Sequence, residues 1–88
     1  MKIDSACILE DRGILFVDGQ DAKDFLQNII TNDIEKVTEN SSCFASLLSP
    51  QGKFLFDFII IKHKKGYLID CEKVQIDELY KKLSLYKL

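Results

Sequence analysis

Asp57 is the residue whose type and setting most suggest chemistry. It stands as a single carboxylate inside Phe54-Leu55-Phe56-Asp57-Phe58-Ile59-Ile60-Ile61, where seven of eight residues are apolar. A strand this apolar is expected to be covered on both faces, so an acid within it must reach a rim or hold a partner. Buried alone, the carboxylate would suffer a desolvation penalty that drives it to take up a proton. Two readings are open. The side chain lies at the sheet edge or pairs with one of the many lysines; or it accepts a hydrogen bond from a polar ring system held in an apolar pocket.

Other polar clusters have plainer readings. Thr31-Asn32-Asp33 follows an apolar stripe, and its side chains can bond nearby backbone groups and halt a helix. Its alternative role is to shape the wall of a ligand cavity. Lys62-His63-Lys64-Lys65 sets four bases in four positions before Gly66; phosphate contact is conceivable, but a solvated hairpin tip is the expectation, and His63 is given no special role. Cys7, Cys43 and Cys71 are odd in number and widely spaced in apolar surroundings, so buried thiols are expected. With no Cys-x-x-Cys and one histidine, no zinc or iron–sulfur site built by this chain alone is expected.

The elements that must position these residues are bounded by composition. A chain of 88 residues, 47 % hydrophobic, suits one domain that buries about 60 % of its unfolded surface. Twelve basic residues against 14 acidic ones, net charge −2, argue against a nucleic-acid footprint. No apolar run approaches the ~20 residues of a membrane span, and Met1-Lys2-Ile3-Asp4 leads into no signal-peptide core. A cytoplasmic protein is expected.

Ala6-Cys7-Ile8-Leu9 and Ile14-Leu15-Phe16-Val17, joined by Asp11-Arg12-Gly13, predict a hairpin. Asp21 is placed to cap a helix whose stripe is Ala22, Phe25, Leu26, Ile29 and Ile30. Residues 35–42 read as a polar surface loop, and Cys43-Phe44-Ala45-Ser46-Leu47-Leu48 as a strand. It returns through Pro50-Gln51-Gly52-Lys53, where Pro50 presets one φ and Gly52 frees another, into the strand of Asp57. Tyr67-Leu68-Ile69 forms a further strand, and Ile76, Leu79, Tyr80 and Leu83 mark a second amphipathic helix. The order ββαβββα predicts an α+β fold, an antiparallel sheet of about five strands with two helices on one face. Because the helix runs almost to Leu88 with no closing strand, the chain is expected to be the front piece of something larger or to complete itself by association.

Taken in order, Gly19-x-Asp21-Ala22-x-x-Phe25-Leu26-Gln27, Thr31-Asn32-Asp33-Ile34, Leu48-x-Pro50-Gln51-Gly52-Lys53-x-Leu55-x-Asp57, Tyr67-Leu68-Ile69-Asp70 and Leu83-x-x-Tyr86-Lys87-Leu88 resemble the N-terminal region of the YgfZ family. These are folate-binding proteins of iron–sulfur cluster assembly and tRNA modification, related to the aminomethyltransferase, or T-protein, of the glycine cleavage system. The match covers nearly the whole chain and is specific as a set.

The resemblance implies a tetrahydrofolate-binding fold in which several domains surround a central cavity. In T-proteins an aspartate on the strand after a Gly-Gly turn sits near the reactive folate nitrogens, and Asp57 occupies the matching place. Phe56 stands where T-proteins carry a second acid, and Asp70-Cys71 where they carry a folate-contacting asparagine. The Lys-Gly-Cys-Tyr/Phe-x-Gly-Gln-Glu signature of YgfZ proteins is absent.

By this resemblance the expected folate contacts are Asp57, Tyr67, Ile69 and Cys71, with no catalytic residue and no metal site. The expected partners are folate and iron–sulfur client proteins, without direct nucleic-acid or membrane contact, and the fold is completed by the rest of the family chain or by self-association. A T-protein-like aminomethyltransferase and a non-catalytic self-associating module are the alternatives.

Overall fold

The computed structural model describes residues 1–7 and 10–87, the side chain of Cys7 apart. Five strands, β1 (Lys2–Cys7), β2 (Arg12–Asp18), β3 (Cys43–Leu48), β4 (Phe54–His63) and β5 (Gly66–Glu72), form one sheet. Helices α1 (Ala22–Ile29) and α2 (Ile76–Tyr86) complete the fold. The strand order is β1-β2-β5-β4-β3, and every pairing is antiparallel. The α+β arrangement expected from the sequence is the one observed.

Both helices lie on one face of the sheet. Ala22 and Leu26 of α1 and Ile76, Leu79 and Leu83 of α2 meet Leu15, Val17, Phe58, Ile60, Ile69 and Cys71 in a single core. Each large aliphatic side chain buried there stabilises the fold by about 1.5–3 kcal/mol. Because a strand turns alternate residues to opposite faces, the register fixes what the other face carries. Ile14, Phe16, Phe44, Ser46, Asp57, Ile59, Ile61, Leu68 and Asp70 all point away from the helices. No helix among the described residues is long and apolar enough to cross a membrane.

Several local expectations are corrected. The first strand lies earlier than expected, at Lys2–Cys7; Ile8 and Leu9, like Leu88, fall outside the described residues. Asp21 stands at the N-cap of α1 but makes no side-chain cap bond. Its backbone is already helical, at φ −89° and ψ −1°, not in the extended form that aims a capping side chain at the first turn. The polar stretch at 35–42 is the surface loop expected, exposed except at Val37, and it is held in shape by a 3-10 turn over Ile34–Lys36 and by backbone hydrogen bonds between Thr38 and Ser41.

Strand β4 is not covered on both faces. Phe58 and Ile60 are buried, whereas Phe54 is 74 % exposed and Asp57 lies in the open. Two helices cover one face only, so the apolar character of the other face is left showing.

The turns follow their residues. Gly52 takes φ +85° in the Pro50–Lys53 reversal, where Ser49 N donates to Lys53 O at 2.8 Å and Gly52 N to Ser49 O at 2.9 Å. At the basic hairpin tip, His63 pairs directly with Gly66, leaving Lys64 and Lys65 as a two-residue turn. Lys64 adopts φ +52° there.

Candidate functional site

Asp57 is held by its cross-strand neighbour. Ser46 on β3 is the register partner of Asp57 on β4, and Ser46 Oγ donates to Asp57 Oδ1 at 2.5 Å. Ser46 is itself buried, and is the only buried polar residue among those described. An ionised carboxylate offers about four acceptor positions, so one bond to Ser46 leaves most of the group available. No lysine explains Asp57, since none of the ion pairs found among the described residues involves it. Strand β4 is an inner strand, but its pairing with β5 begins at Ile59, so at Asp57 it is flanked by β3 alone and the carboxylate lies exposed at a local edge of the sheet.

The segment after α1 reaches this pair from the other side. Thr31 N donates to Ser46 O at 3.0 Å, and Ser46 N donates to Thr31 Oγ1 at 2.9 Å. Asn32 Nδ2 donates to Phe44 O at 2.9 Å, and Asn32 Oδ1 accepts from Asp33 N at 2.8 Å. Asp33 Oδ1 accepts from Glu35 N at 2.9 Å. Gln27 spans the same turn, donating to Asn32 O and accepting from Ile34 N. The Thr31-Asn32-Asp33 stretch therefore does more than stop a helix: it covers the outer edge of β3.

Along the open face from Asp57, the next outward residue of β4 is Ile59, whose register partner on β5 is Asp70. The Asp70 carboxylate is engaged, with Arg12 Nε and Nη2 both 2.9 Å from Oδ1. Between and beyond these carboxylates lie Ile61, Leu68 and Phe16, partly buried, and Phe44, 62 % exposed. His63 packs its ring against Phe16, with centroids 5.8 Å apart. The strip between Asp57 and Asp70 is apolar, with the first carboxylate available and the second neutralised by a guanidinium; the register adds Asp4, opposite Phe16, and Glu72, opposite Arg12, farther along the same face.

The four expected folate contacts do not cluster. Tyr67, Ile69 and Cys71 alternate with Leu68 and Asp70 on β5 and point the other way, into the core beneath the helices, at 4 %, 0 % and 0 % exposure. Tyr67 carries Lys62 Nζ 4.7 Å from its ring centre, and burial pushes its hydroxyl pKa up. Cys71 Sγ donates to Gly13 O at 3.7 Å. Of the Asp70-Cys71 pair, it is Asp70 that shares a face with Asp57.

Sequence reasoning also passed over Ser46. Its one trace is alternation in β3, where Cys43, Ala45 and Leu47 form one set and a serine interrupts the other. Cys43 is a buried thiol whose pKa burial pushes up.

Two hollows bear on ligand binding. A small one of about 130 Å³ lies beside Asp57, lined by Phe54, Leu55, Phe56 and Gln75. A larger one, about 550 Å³, sits between the end of α1, the Pro50 turn and Tyr86, with no carboxylate or histidine among the described residues of its walls. A site that encloses a small molecule has about 300–1,000 Å³. The hollow at Asp57 is thus a shelf for part of a ligand, not an enclosing pocket. Among the described residues, no group of three or more His, Cys, Asp or Glu side chains is placed to hold a metal ion.

No family model matches the chain. It is 31 % identical over 70 residues to an aminomethyltransferase of Caldanaerobacter subterraneus subsp. tengcongensis, covering 78 % of this chain and 19 % of that protein. It is 31 % identical over 87 residues to a mitochondrial iron–sulfur cluster assembly factor IBA57 homolog of Neurospora crassa, covering 91 % of this chain and 20 % of the relative. An aminomethyltransferase of Staphylococcus carnosus is 34 % identical over 50 residues, covering 57 % and 14 %. The chain spans about a fifth of the length of the first two.

Proposed function

The chain belongs to the T-protein superfamily of aminomethyltransferases and IBA57-type proteins, and from that premise we propose that it is a tetrahydrofolate-binding element of a protein supporting iron–sulfur cluster assembly. In this reading the open sheet face is one wall of the folate cavity. The rest of the wall comes from other parts of a longer protein, in keeping with relatives more than four times the length. The tRNA modification that accompanies the YgfZ resemblance follows from cluster supply, iron–sulfur proteins are the clients, and the setting is cytoplasmic.

The observation that carries the proposal is the placement of Asp57, exposed on an apolar face, with one oxygen held by Ser46. A pterin is a flat polar ring system whose face packs on apolar side chains and whose rim carries N–H donors, so it suits an apolar strip ending in a carboxylate acceptor. Tetrahydrofolate would lie against Ile59 with its N–H groups toward Asp57. Tyr67, Ile69 and Cys71 do not fit as contacts, because they support the sheet from beneath. Their part is to hold β5 flush with β4.

Calorimetric titration of the protein with tetrahydrofolate tests this. Asp57→Asn keeps the shape and removes the charge, and is expected to weaken binding about tenfold. Unchanged affinity would take Asp57 out of the site. Fluorescence microscopy of the tagged protein in its own cells tests the cytoplasmic setting.

A second reading, aminomethyl transfer, is favoured by the names of the Caldanaerobacter and Staphylococcus relatives. It predicts tetrahydrofolate-dependent turnover of an aminomethyl donor; binding without turnover leaves the first reading.

A further inference from the structure

We infer that Ser46 is a positioning residue for Asp57, and that Thr31 braces Ser46 from the end of α1, so that the Thr31-Asn32-Asp33 turn sets the aim of the ligand-facing carboxylate. This deepens the folate-binding reading and rests on it.

The argument is geometric. An exposed aspartate ordinarily samples several side-chain rotamers, and fixing one on binding lowers affinity. Asp57 is exposed, but its Oδ1 is taken by a buried hydroxyl. A serine hydroxyl can aim steadily only if its own backbone is fixed. That of Ser46 is fixed by Thr31, which donates its N–H to Ser46 O and accepts from Ser46 N through Oγ1, so both backbone groups of Ser46 face outward while its register places it directly opposite Asp57 on β4. A backbone N–H at the outer edge of a sheet would otherwise bond water, so the Thr31 hydroxyl is the specific feature here.

Asn32 repeats the device two residues along the strand by donating to Phe44 O. The line Thr31, Ser46, Asp57 runs from the helix end across the edge strand to the open face, leaving Asp57 Oδ2 for a ligand N–H.

Two readouts test this. The first needs no ligand: three-bond couplings of the Asp57 side chain, measured by NMR, are expected to report one dominant rotamer in the parent and averaging in Ser46→Ala. Averaged couplings in the parent, or unchanged couplings in Ser46→Ala, overturn the inference. The second is tetrahydrofolate affinity in a double-mutant cycle. Ser46→Ala and Thr31→Val are each expected to weaken binding about three- to tenfold, and neither to weaken it further in an Asp57→Ala background. Thr31→Ser, which keeps the hydroxyl, is expected to restore parental affinity.

Equal losses with and without Asp57 would make Ser46 merely structural and overturn the role. Weakening by Asp57→Asn with none by Ser46→Ala would sink the positioning role while sparing the folate reading. No effect of Asp57→Asn would take Asp57 out of the site, and the rotamer measurement would then decide the Ser46 link alone; no binding of tetrahydrofolate by the parent would sink the folate reading itself. Thr31→Val keeps the test in hand should Ser46→Ala fold poorly.

Discussion

Arg12 on β2 holds Asp70 on β5 across 58 residues of sequence, with two guanidinium nitrogens 2.9 Å from Asp70 Oδ1 and a further bond from Nη2 to the Asp70 carbonyl at 3.2 Å. The pair joins the β1–β2 hairpin to the rest of the sheet on the face that carries Asp57, and it neutralises the Asp70 carboxylate there. Both side chains are about a third exposed or less, at 33 % and 27 %.

Replacing Arg12 by lysine keeps the charge and loses the fork, since an ammonium cannot reach Oδ1 and the carbonyl in the same planar geometry. Arg12→Lys is expected to cost about 1 kcal/mol, read as a lower urea midpoint at unchanged slope. A midpoint equal to the parent's would show the contact to be a solvated surface pair.

Gly66 and Gly52 separate two reasons for glycine. A Cβ on Gly66 would come within contact range of Val17 O and the Asp18 backbone, so Gly66→Ala must push β5 from β2. At Gly52 nothing lies within 4 Å, and only φ +85° opposes a side chain. Gly52→Ala is expected to cost about 1 kcal/mol and Gly66→Ala at least twice that. For a domain of this size about 4–8 °C of thermal midpoint corresponds to each kcal/mol, so the order of the two midpoints is a direct check.

Phe58 and Phe44 lie one strand apart on opposite faces, 1 % and 62 % exposed. Phe58→Ala is expected to cost about 3–5 kcal/mol and Phe44→Ala about 0.5 kcal/mol or less. A large loss at Phe44 would show that the open face is already covered in solution.

Cys43 and Tyr67 give the pH dependence its sign. Burial raises both pKa values, so the folded state keeps protons that the unfolded chain releases first. Stability therefore falls as pH rises past the ordinary thiol range and then past the ordinary phenol range, and near neutral pH neither group gives stability a pH dependence. Cys43→Ser is expected to flatten the first part of that decline in denaturation midpoints measured across alkaline pH. The same burial predicts slow alkylation of Cys43 in the native protein at pH 7 and prompt alkylation in denaturant.

Much of the fold was legible because it is local. The stripe of α1 through Leu26, that of α2 through Leu79 and Leu83, and the Pro50–Lys53 reversal are encoded within a few residues of themselves, by helical spacing and by turn chemistry. The apolar run around Asp57 was equally plain as a strand, and the α+β class followed from the order of elements.

What the tertiary structure alone decided was facing and partnership. Whether Asp57 looks the same way as Tyr67 and Cys71 or as Leu68 and Asp70 depends on the β4–β5 register, and a shift of one residue reverses it. The pairing of Ile59 with Asp70 put Tyr67, Ile69 and Cys71 under the helices. The Ser46–Asp57 and Thr31–Ser46 bonds join residues 11 and 15 positions apart, and no periodicity along the chain records them. A side chain's type is written in the sequence, but what stands opposite it is set only when the strands pair.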